Sequence, residues 1–354
     1  MSDYLTTAVP GTGGHIKASP EDFLVEEIPL YNPCGEGEHL YLLVEKFGIT
    51  THELLHRLAR ACRIKEREIG YAGLKDAKAR TRQTVSLPGV SPAQALALEL
   101  ENIRILDARL HRNKLRLGHL AGNRFQIRLR EVGENALDHA LDSLHILQQV
   151  GVPNRFGEQR YGVLGNSHLI GRALLRRDYA EAARLIMGDP ALISNERWRR
   201  AAGCYVDGDL EGALEALPDR FRNERALLRQ LLDGRSHEQA VLAHPRKLLR
   251  LYLSAYQSYL FNRVVAMRLD SIDLLWNGDL AYKHDNGACF LAESFRLAQG
   301  LSMEGERRPL RVPISDPEVR PEGNDLLLSF ALPRGCYATA VLREIIKADV
   351  TAEF

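Results

Sequence analysis

The sequence predicts an α/β protein of the mixed α+β kind, with a sheet built from both ends of the chain and a helical segment inserted between them. Strand-like patterns occupy most of residues 15–130 and return at 325–332. Between about 153 and 268 the apolar spacing is almost entirely helical. The 354 residues are enough for about two domains, so one α/β domain interrupted by a helical module is the simplest organisation.

Composition is that of a soluble globular protein, with 45% hydrophobic and 26% charged residues. The formal net charge is only +1, so any surface that attracts nucleic acid must come from local clustering. One such cluster lies in residues 104–130, where Asp107 is the only acid. Its basic members are Arg104, Arg109, Arg112, Lys114, Arg116, Arg124, Arg128 and Arg130.

The five cysteines are odd in number and widely spread, without a C-x-x-C pair, which argues against a disulfide framework or a cysteine-only zinc site. Reduced thiols fit a cytosolic protein. The first residues lack the features of a signal peptide, and no apolar run is long enough to cross a bilayer. We therefore expect a cytoplasmic protein without a membrane association.

The N-terminal elements follow from simple periodicities. Phe23 and Val25 alternate with polar residues and predict a strand with one buried face. Residues 39–47 are rich in Leu, Tyr and Val and predict a second strand. Thr50 and Glu53 form a capping box that starts a helix with leucines at helical spacing.

The stretch 70–83 joins this helix to the next strand and holds one carboxylate, Asp76, among Lys75, Lys78, Arg80 and Arg82. Neighbouring cations favour the ionised form of a carboxyl group. An ionised carboxylate in a basic loop can act as a nucleophile toward a substrate that carries negative charge elsewhere. For an arbitrary loop, loosely paired solvated charges are the ordinary alternative.

Alternation from 124 to 130 predicts a half-buried strand with Phe125 on its apolar face and arginines on its open face. Residues 135–150 predict an amphipathic helix that Gly151 ends. Two polar connections, 31–38 and 304–324, are expected to be surface loops. Further helices are predicted around 168–176, 179–187, 208–216, 223–232, 237–243 and 246–268, strands at 103–117, 279–282, 288–291 and 325–332, and a last helix ending near Ile346.

Several kinds of site have little support. His52 and His56 share a helix face, but no further ligand follows at metal-site spacing, so no metal site is predicted. The chain contains no P-loop and no G-x-S-x-G elbow. Glu26 and Glu27 are adjacent in a strand and point to opposite faces, so they do not form a pair of catalytic carboxylates.

Aromatic residues interleaved with Arg and Asn favour binding of an unstacked nucleobase, because rings stack on the base and amides read its edge. Such residues include Phe23, Asn123, Phe125 and the stretch 152–162. For each aromatic residue alone, packing in the core is the ordinary alternative.

Taken together, the motifs resemble those of the tRNA pseudouridine synthase D family, in family order and over nearly the whole chain. They are residues 17–27, 70–76, 122–125, 152–162, 258–262 and 332–339. The resemblance implies isomerisation of uridine 13 of tRNA to pseudouridine, without cofactor or metal. It also implies a catalytic domain with a mixed, largely antiparallel sheet, made of residues 1–152 and 304–354 and interrupted by a mostly helical, family-specific insertion at 153–303.

By the same resemblance, Asp76 matches the catalytic aspartate and Lys17 its basic partner. Phe23, Asn123 and Tyr337 match positions that hold the target nucleotide, and Phe125 would lie beside the flipped base. The implied partner is tRNA, with no protein partner or membrane, and we expect a monomer. The chain departs from the family at Ala77, where a basic residue is usual, and at Arg155 and Tyr161, where the family commonly has an aromatic residue and phenylalanine respectively.

Two other functions stay open on the residues alone. A non-catalytic RNA-binding or chaperone protein would bind tRNA in a salt-sensitive way without isomerisation, but it has no need of an acid among cations. A glycosidase or nucleosidase would release free base, but a second well-placed carboxylate is lacking. Basic runs in the helical middle, at 176–177, 197–200 and 222–225, could grip the tRNA backbone or could simply be solvated helix faces.

Overall fold

The computed structural model describes residues 4–272, 274, 280–281, 288–291, 294–296 and 300–348. Within it the chain divides into two compact units. The first unit contains residues 2–154 and 311–354, and the second contains residues 155–310. The predicted limits of a catalytic domain and its insertion are roles assigned by resemblance, and they stay a prediction.

Strands predominate before residue 154 and after residue 280, whereas residues 167–267 between them form helices. The strands are β1 Phe23–Pro29, β2 His39–Lys46, β3 Gly70–Tyr71, β4 Arg80–Pro88, β5 Ile103–His111, β6 Leu120–Leu129, β7 Val152–Pro153, β8 Leu280–Ala281, β9 Ala288–Leu291, β10 Phe295–Arg296, β11 Ser302–Met303, β12 Arg307–Pro309, β13 Arg311–Val312, β14 Ser315–Glu322 and β15 Asp325–Pro333. The helices are α1 Thr51–Cys62, α2 Pro92–Leu96, α3 Ala136–Val150, α4 Ser167–Arg176, α5 Tyr179–Met187, α6 Glu196–Val206, α7 Leu210–Ala216, α8 Arg222–Leu232, α9 His237–Leu242, α10 Arg246–Met267 and α11 Ala338–Ile346.

The first unit is built on an eight-stranded sheet with the order β14-β15-β6-β1-β4-β2-β5, and β3 adds to β4. Among the described strands of this sheet, β1 and β4 pair in parallel while the other pairs are antiparallel. The predicted fold class, a mixed and largely antiparallel sheet with helices, is therefore confirmed.

One face of this sheet carries the apolar core. Near β6 and β15, Phe125, Ile127 and Phe330 pack with residues of α3 and α11. Near β2 and β4, a second cluster joins strand residues such as Leu42 to leucines of α1, including Leu54. These contacts explain the period-two pattern of the strands and the leucine spacing of the helices, since each buries one face.

The second unit is mainly helical. Its core gathers residues of α4, α5, α8, α9 and α10, among them Ile170, Leu227 and Leu253. A small antiparallel sheet has the order β12-β9-β8. The predicted strands at 279–282 and 288–291 are present as β8 and β9.

The prediction of a surface loop at 304–324 is wrong. The segment contains β12, β13 and β14, and β14 pairs with β15 at the edge of the main sheet. The sequence pattern did not predict β14 because this strand contains Pro317, Pro321 and many charged residues. Such residues are typical of loops but are also tolerated on an edge strand. Within 103–117 one strand forms, β5, which ends at His111. Helix α6 was not predicted, because its first turns are dominated by charged residues.

No helix in the described part of the chain is long and apolar enough to cross a membrane. The four cysteines whose side chains are described, Cys34, Cys62, Cys204 and Cys336, are free thiols.

Leu328 is fully buried in β15 and packs in the core between the sheet, α3 and α11. Replacing it with alanine removes apolar contacts and leaves a cavity, so Leu328→Ala should lower the free energy of unfolding by about 2–5 kcal/mol. Urea denaturation followed by circular dichroism measures this loss. Leu141→Ala, at an exposed position of α3, is the matched control and should change stability by less than about 1 kcal/mol. Equal effects of the two changes would contradict this description of the core.

Candidate functional site

The loop between β3 and β4 presents Asp76 beside a lysine from a distant part of the chain. Lys17 Nζ lies 3.7 Å from Asp76 Oδ2. The Asp76 side chain is 50% exposed, whereas that of Lys17 is only 7% exposed. The Asp76 carboxylate is thus open to solvent on one side and faces a buried ammonium on the other.

Lys17 also connects the carboxylate to a group of aromatic rings. Its Nζ lies 4.6 Å from the centroid of the Phe23 ring, a cation–π contact. Phe23 meets Phe125 edge-on with ring centroids 6.4 Å apart, and Phe125 lies 5.5 Å from Phe330. Burial lowers the pKa of Lys17, and the attraction of Asp76 partly opposes that shift. The contacts therefore bring together Asp76, Lys17, Phe23 and Phe125.

Several cations that surround Asp76 in sequence are paired elsewhere. Lys75 Nζ lies 2.7 Å from Oε1 of the buried Glu27. The carboxylate oxygens of Glu45 lie 2.7 Å from the Arg80 guanidinium and 2.9 Å from the Arg82 guanidinium. Lys75, Arg80 and Arg82 are thus engaged by Glu27 and Glu45, whereas an ammonium from outside the loop, that of Lys17, contacts the Asp76 carboxylate.

Asn123 and Tyr337 are placed by two other elements. Asn123 lies on β6 two residues before Phe125, on the same side of the strand, and is paired in register with Glu27 on β1. A Cβ on the preceding Gly122 would lie 2.2 Å from the Leu332 carbonyl oxygen, so β15 can pass this close only because residue 122 is glycine. Tyr337 is the N-cap of α11 and is 36% exposed.

In the second unit, hydrogen bonds join residues of the motifs at 152–162 and 258–262. The side chain of Asn262 accepts a hydrogen bond from the Phe156 amide at 2.8 Å, and it donates to the Phe156 carbonyl at 2.9 Å and to the Tyr161 hydroxyl at 3.0 Å. Arg160 donates to the hydroxyls of Ser254 and Ser258. These contacts give both motifs a structural role that the sequence pattern did not reveal.

The basic cluster of residues 104–130 is largely neutralised. The Arg128 guanidinium lies 2.6 Å from the Glu322 carboxylate, and the Arg130 guanidinium lies 2.8 Å from the Asp22 carboxylate. Arg124 contacts Asp316 at 3.1 Å. The cationic open face predicted for β6 is therefore balanced by acids from β14 and by Asp22, the residue before β1. All of these acids are far away in sequence.

Two anchors of the Asp76 loop were missed from the sequence. Lys46 Nζ donates to the Asp76 carbonyl oxygen at 2.9 Å, and the Lys75 amide donates to Thr51 Oγ1 at 2.9 Å. The sequence did contain one indication of the Lys46 anchor, because Lys46 continues the alternation of the buried residues Leu42 and Val44. A lysine in such a position must be buried with its charge, which calls for a polar partner inside the protein.

In chemical terms, this region offers an accessible carboxylate, a buried ammonium and aromatic rings on a firmly held loop. Such a set fits nucleophilic attack by Asp76 on a flat, electrophilic ring or on the sugar attached to it. Among the described residues, no group of three His, Cys, Asp or Glu side chains is arranged to hold a metal ion.

Comparisons with known proteins agree on one family. The model of the family described as tRNA pseudouridine synthase D matches residues 1–296 and 290–345. The chain is 54% identical to tRNA pseudouridine synthase D of Syntrophotalea carbinolica, over 99% of this chain and all of that protein. It is 37% identical to the protein of that name from Thermus thermophilus, with 98% and 92% of the two chains covered.

A solved structure shows the same fold. The crystal structure of a putative tRNA pseudouridine synthase D from Methanosarcina mazei superposes with a TM-score of 0.81. The match covers 98% of this chain and 96% of that chain, at 24% sequence identity.

Burial lowers the pKa of Lys46 from 10.5 to about 8. Between these values the unfolded chain binds a proton that the folded protein lacks, so protonation favours unfolding there. Stability of the wild type relative to Lys46→Met should therefore be constant below pH 8 and rise from pH 8 to 10.5, with a slope on the order of 1 kcal/mol per pH unit. Urea titrations across this range test the sign, and a difference that is independent of pH would contradict it. Lys65→Met, at an exposed position, controls for the loss of one positive charge.

Proposed function

Because the chain belongs to the tRNA pseudouridine synthase D family, we propose that it isomerises uridine 13 of tRNA to pseudouridine with Asp76 as the nucleophile. The observation that carries this proposal is the half-exposed Asp76 carboxylate beside the buried Lys17 ammonium and the Phe23 ring. A purely RNA-binding protein has no use for this arrangement. No cofactor is called for, since substrate and product have the same atoms.

The target uridine is paired or stacked within the tRNA and must turn out of its stack before Asp76 can reach it. Asp76 then attacks either the anomeric carbon of the ribose or C6 of the uracil ring. The bond between C1′ and N1 breaks, the base turns within the site, and a bond forms between C1′ and C5. The bond to Asp76 breaks as well, so that its carboxylate is released. C5 loses its proton and N1 gains one, so the reaction is balanced without an oxidant, reductant or metal.

Lys17 is proposed to keep Asp76 in its nucleophilic, ionised form. Its ammonium is 3.7 Å from the carboxylate and buried, so water screens their attraction less than it would at an open surface. The contact with the Phe23 ring fixes the direction from which the ammonium approaches. Lys17 also has a left-handed backbone conformation with φ of 62°, which is unusual for a lysine and is typical of a position fixed by its surroundings.

The remaining assigned residues are proposed to hold the nucleotide. Phe23 and Phe125 provide apolar surface beside the flipped base, while Asn123 and Tyr337 provide polar groups for its edge and sugar. Asn123 Oδ1 is buried without a hydrogen-bond partner among the described residues, which fits a group that waits for a substrate donor.

The domain roles follow from the same proposal. Residues 1–152 and 304–354 form the catalytic domain, which the mostly helical, family-specific insertion at 153–303 interrupts. The free thiols fit a cytoplasmic enzyme. We propose that it acts as a monomer.

The direct test incubates the purified protein with unmodified tRNA transcript in the presence of a chelator. Pseudouridine is then mapped by primer-extension stops that depend on carbodiimide. A stop at uridine 13 supports the proposal. Tight binding without any stop would favour a chaperone, and release of free uracil would favour a nucleosidase.

Asp76→Asn keeps the size of the side chain but removes the nucleophile, so the single-turnover rate should fall by at least about a thousandfold. The affinity for tRNA should stay close to that of the wild type, because one residue of a large RNA surface changes. Filter binding and the pseudouridine assay measure the two quantities. Asp207→Asn, at an exposed helix end, is the matched control. Comparable turnover in Asp76→Asn would overturn the assignment.

Lys17→Met should lower turnover strongly, whereas Lys17→Arg should retain part of it, since a cation remains near Asp76. Burial lowers the pKa of Lys17, so its ammonium is lost as pH rises through that lowered value. Wild-type activity should therefore decline at alkaline pH, and the decline should move to higher pH in Lys17→Arg because arginine stays protonated. Rate measurements from pH 6 to pH 10 provide the profiles, and identical profiles for both proteins would exclude a charged Lys17 from the reaction.

A further inference from the structure

The backbone on both sides of the Lys75–Asp76 peptide is held by two residues that the proposed mechanism does not use. Lys46, the last residue of β2, is fully buried. Its Nζ donates to the carbonyl oxygen of Ile49 at 2.8 Å and to that of Asp76 at 2.9 Å. The ammonium thus ties the Asp76 loop to the connection between β2 and α1.

Thr51, the first residue of α1, contacts the backbone on the Lys75 side of the same peptide. Its buried hydroxyl accepts a hydrogen bond from the Lys75 amide at 2.9 Å and donates to Gln83 Oε1 at 3.1 Å. Gln83 is buried on β4, just beyond the loop. One hydroxyl therefore links the loop, the helix and the strand that follows.

We propose that Lys46 and Thr51 are positioning residues that fix the backbone of Asp76 so that its carboxylate is aimed before the substrate arrives. This inference rests on the proposed role of Asp76 as the nucleophile. A half-exposed side chain gains little orientation from packing of its own, so its direction depends on how rigidly its backbone is held.

The location of Lys46 supports a functional rather than a packing role. It follows Leu42 and Val44 on the buried face of β2, and both of these residues are fully buried. A buried ammonium is costly, and an apolar residue would satisfy the core at this position. A lysine side chain, by contrast, is long enough for its ammonium to donate to two carbonyl oxygens on separate segments.

The charges that act on Lys46 come from the loop it holds. The Asp76 carboxylate attracts the ammonium and the Lys75 ammonium repels it, while burial is the largest influence and lowers its pKa to about 8. The residues paired with Lys46 across the sheet are uncharged, namely Thr81 on β4 and Ile103 on β5, and Thr51 begins the helix that follows. The charge on Lys46 is thus balanced by Asp76 and by carbonyl dipoles.

The test compares Thr51→Val, which removes the hydroxyl and keeps the shape, with Thr51→Ser, which keeps the hydroxyl. Thr81→Val is the matched control, because Thr81 is also fully buried but its hydroxyl has no hydrogen-bond partner in the described part of the chain. Thr51→Val should lower the single-turnover rate by about tenfold to a hundredfold and leave tRNA affinity within about twofold. Thr51→Ser and Thr81→Val should stay within about threefold of the wild-type rate.

Lys46→Met tests the second anchor in the same assay. It should likewise lower the rate and leave the dissociation constant for tRNA unchanged. Circular dichroism identifies any variant that does not fold, and the nearly isosteric Thr51→Val then decides the question. A wild-type rate in folded Thr51→Val, or a loss of rate matched by Thr81→Val, would overturn the inference. If the wild type forms no pseudouridine, or if Asp76→Asn keeps its rate, the proposed function fails instead, so the two failures are distinguishable.

Discussion

The carboxylate of Glu27 ties the candidate site to the sheet. It lies next to the position where the parallel pairing of β1 and β4 ends, and it accepts hydrogen bonds from the Thr84 amide at 2.9 Å and from Lys75 Nζ at 2.7 Å. The first bond gives a partner to a backbone amide of β4 near the place where its pairing with β1 stops. The second draws Lys75 inward, so that the next residue in the loop, Asp76, remains half exposed. Removing this carboxylate would leave a buried ammonium uncompensated, which proteins tolerate poorly.

Three lysines around the loop show how differently a buried charge can be stabilised. Lys75 has a carboxylate in direct contact, Lys17 faces a half-exposed carboxylate and an aromatic ring, and Lys46 faces two carbonyl oxygens. For Lys17 and Lys46, burial is the largest influence and lowers the pKa of both side chains. Substitution of one lysine by another cation is therefore not equivalent at the three positions.

Much of the fold and part of the site could be predicted from the sequence. Phe125 and its neighbours on β6 alternate cleanly, and the leucines of α1 share one helical face, so local patterns were sufficient there. The edge strand β14 could not be found, since prolines and charges suit an edge as well as a loop. The pairing of Lys17 with Asp76, and the capture of Lys75 by Glu27, join residues far apart in the chain. Such contacts depend on strand order, which periodicity does not contain.

The pairing of β7 with β13 and the position of β15 carry a consequence for synthesis on the ribosome. β6 pairs with β15, and β13 pairs with β7, but the whole of residues 155–310 emerges between these partners. Until then one side of β6 is an unpaired strand edge next to apolar surface, which is prone to non-native pairing. The mostly helical second unit has many local contacts and can form early. Closure of the main sheet therefore waits until residues 155–310 have been made, and a chain that stops before β15 lacks the strands that complete it.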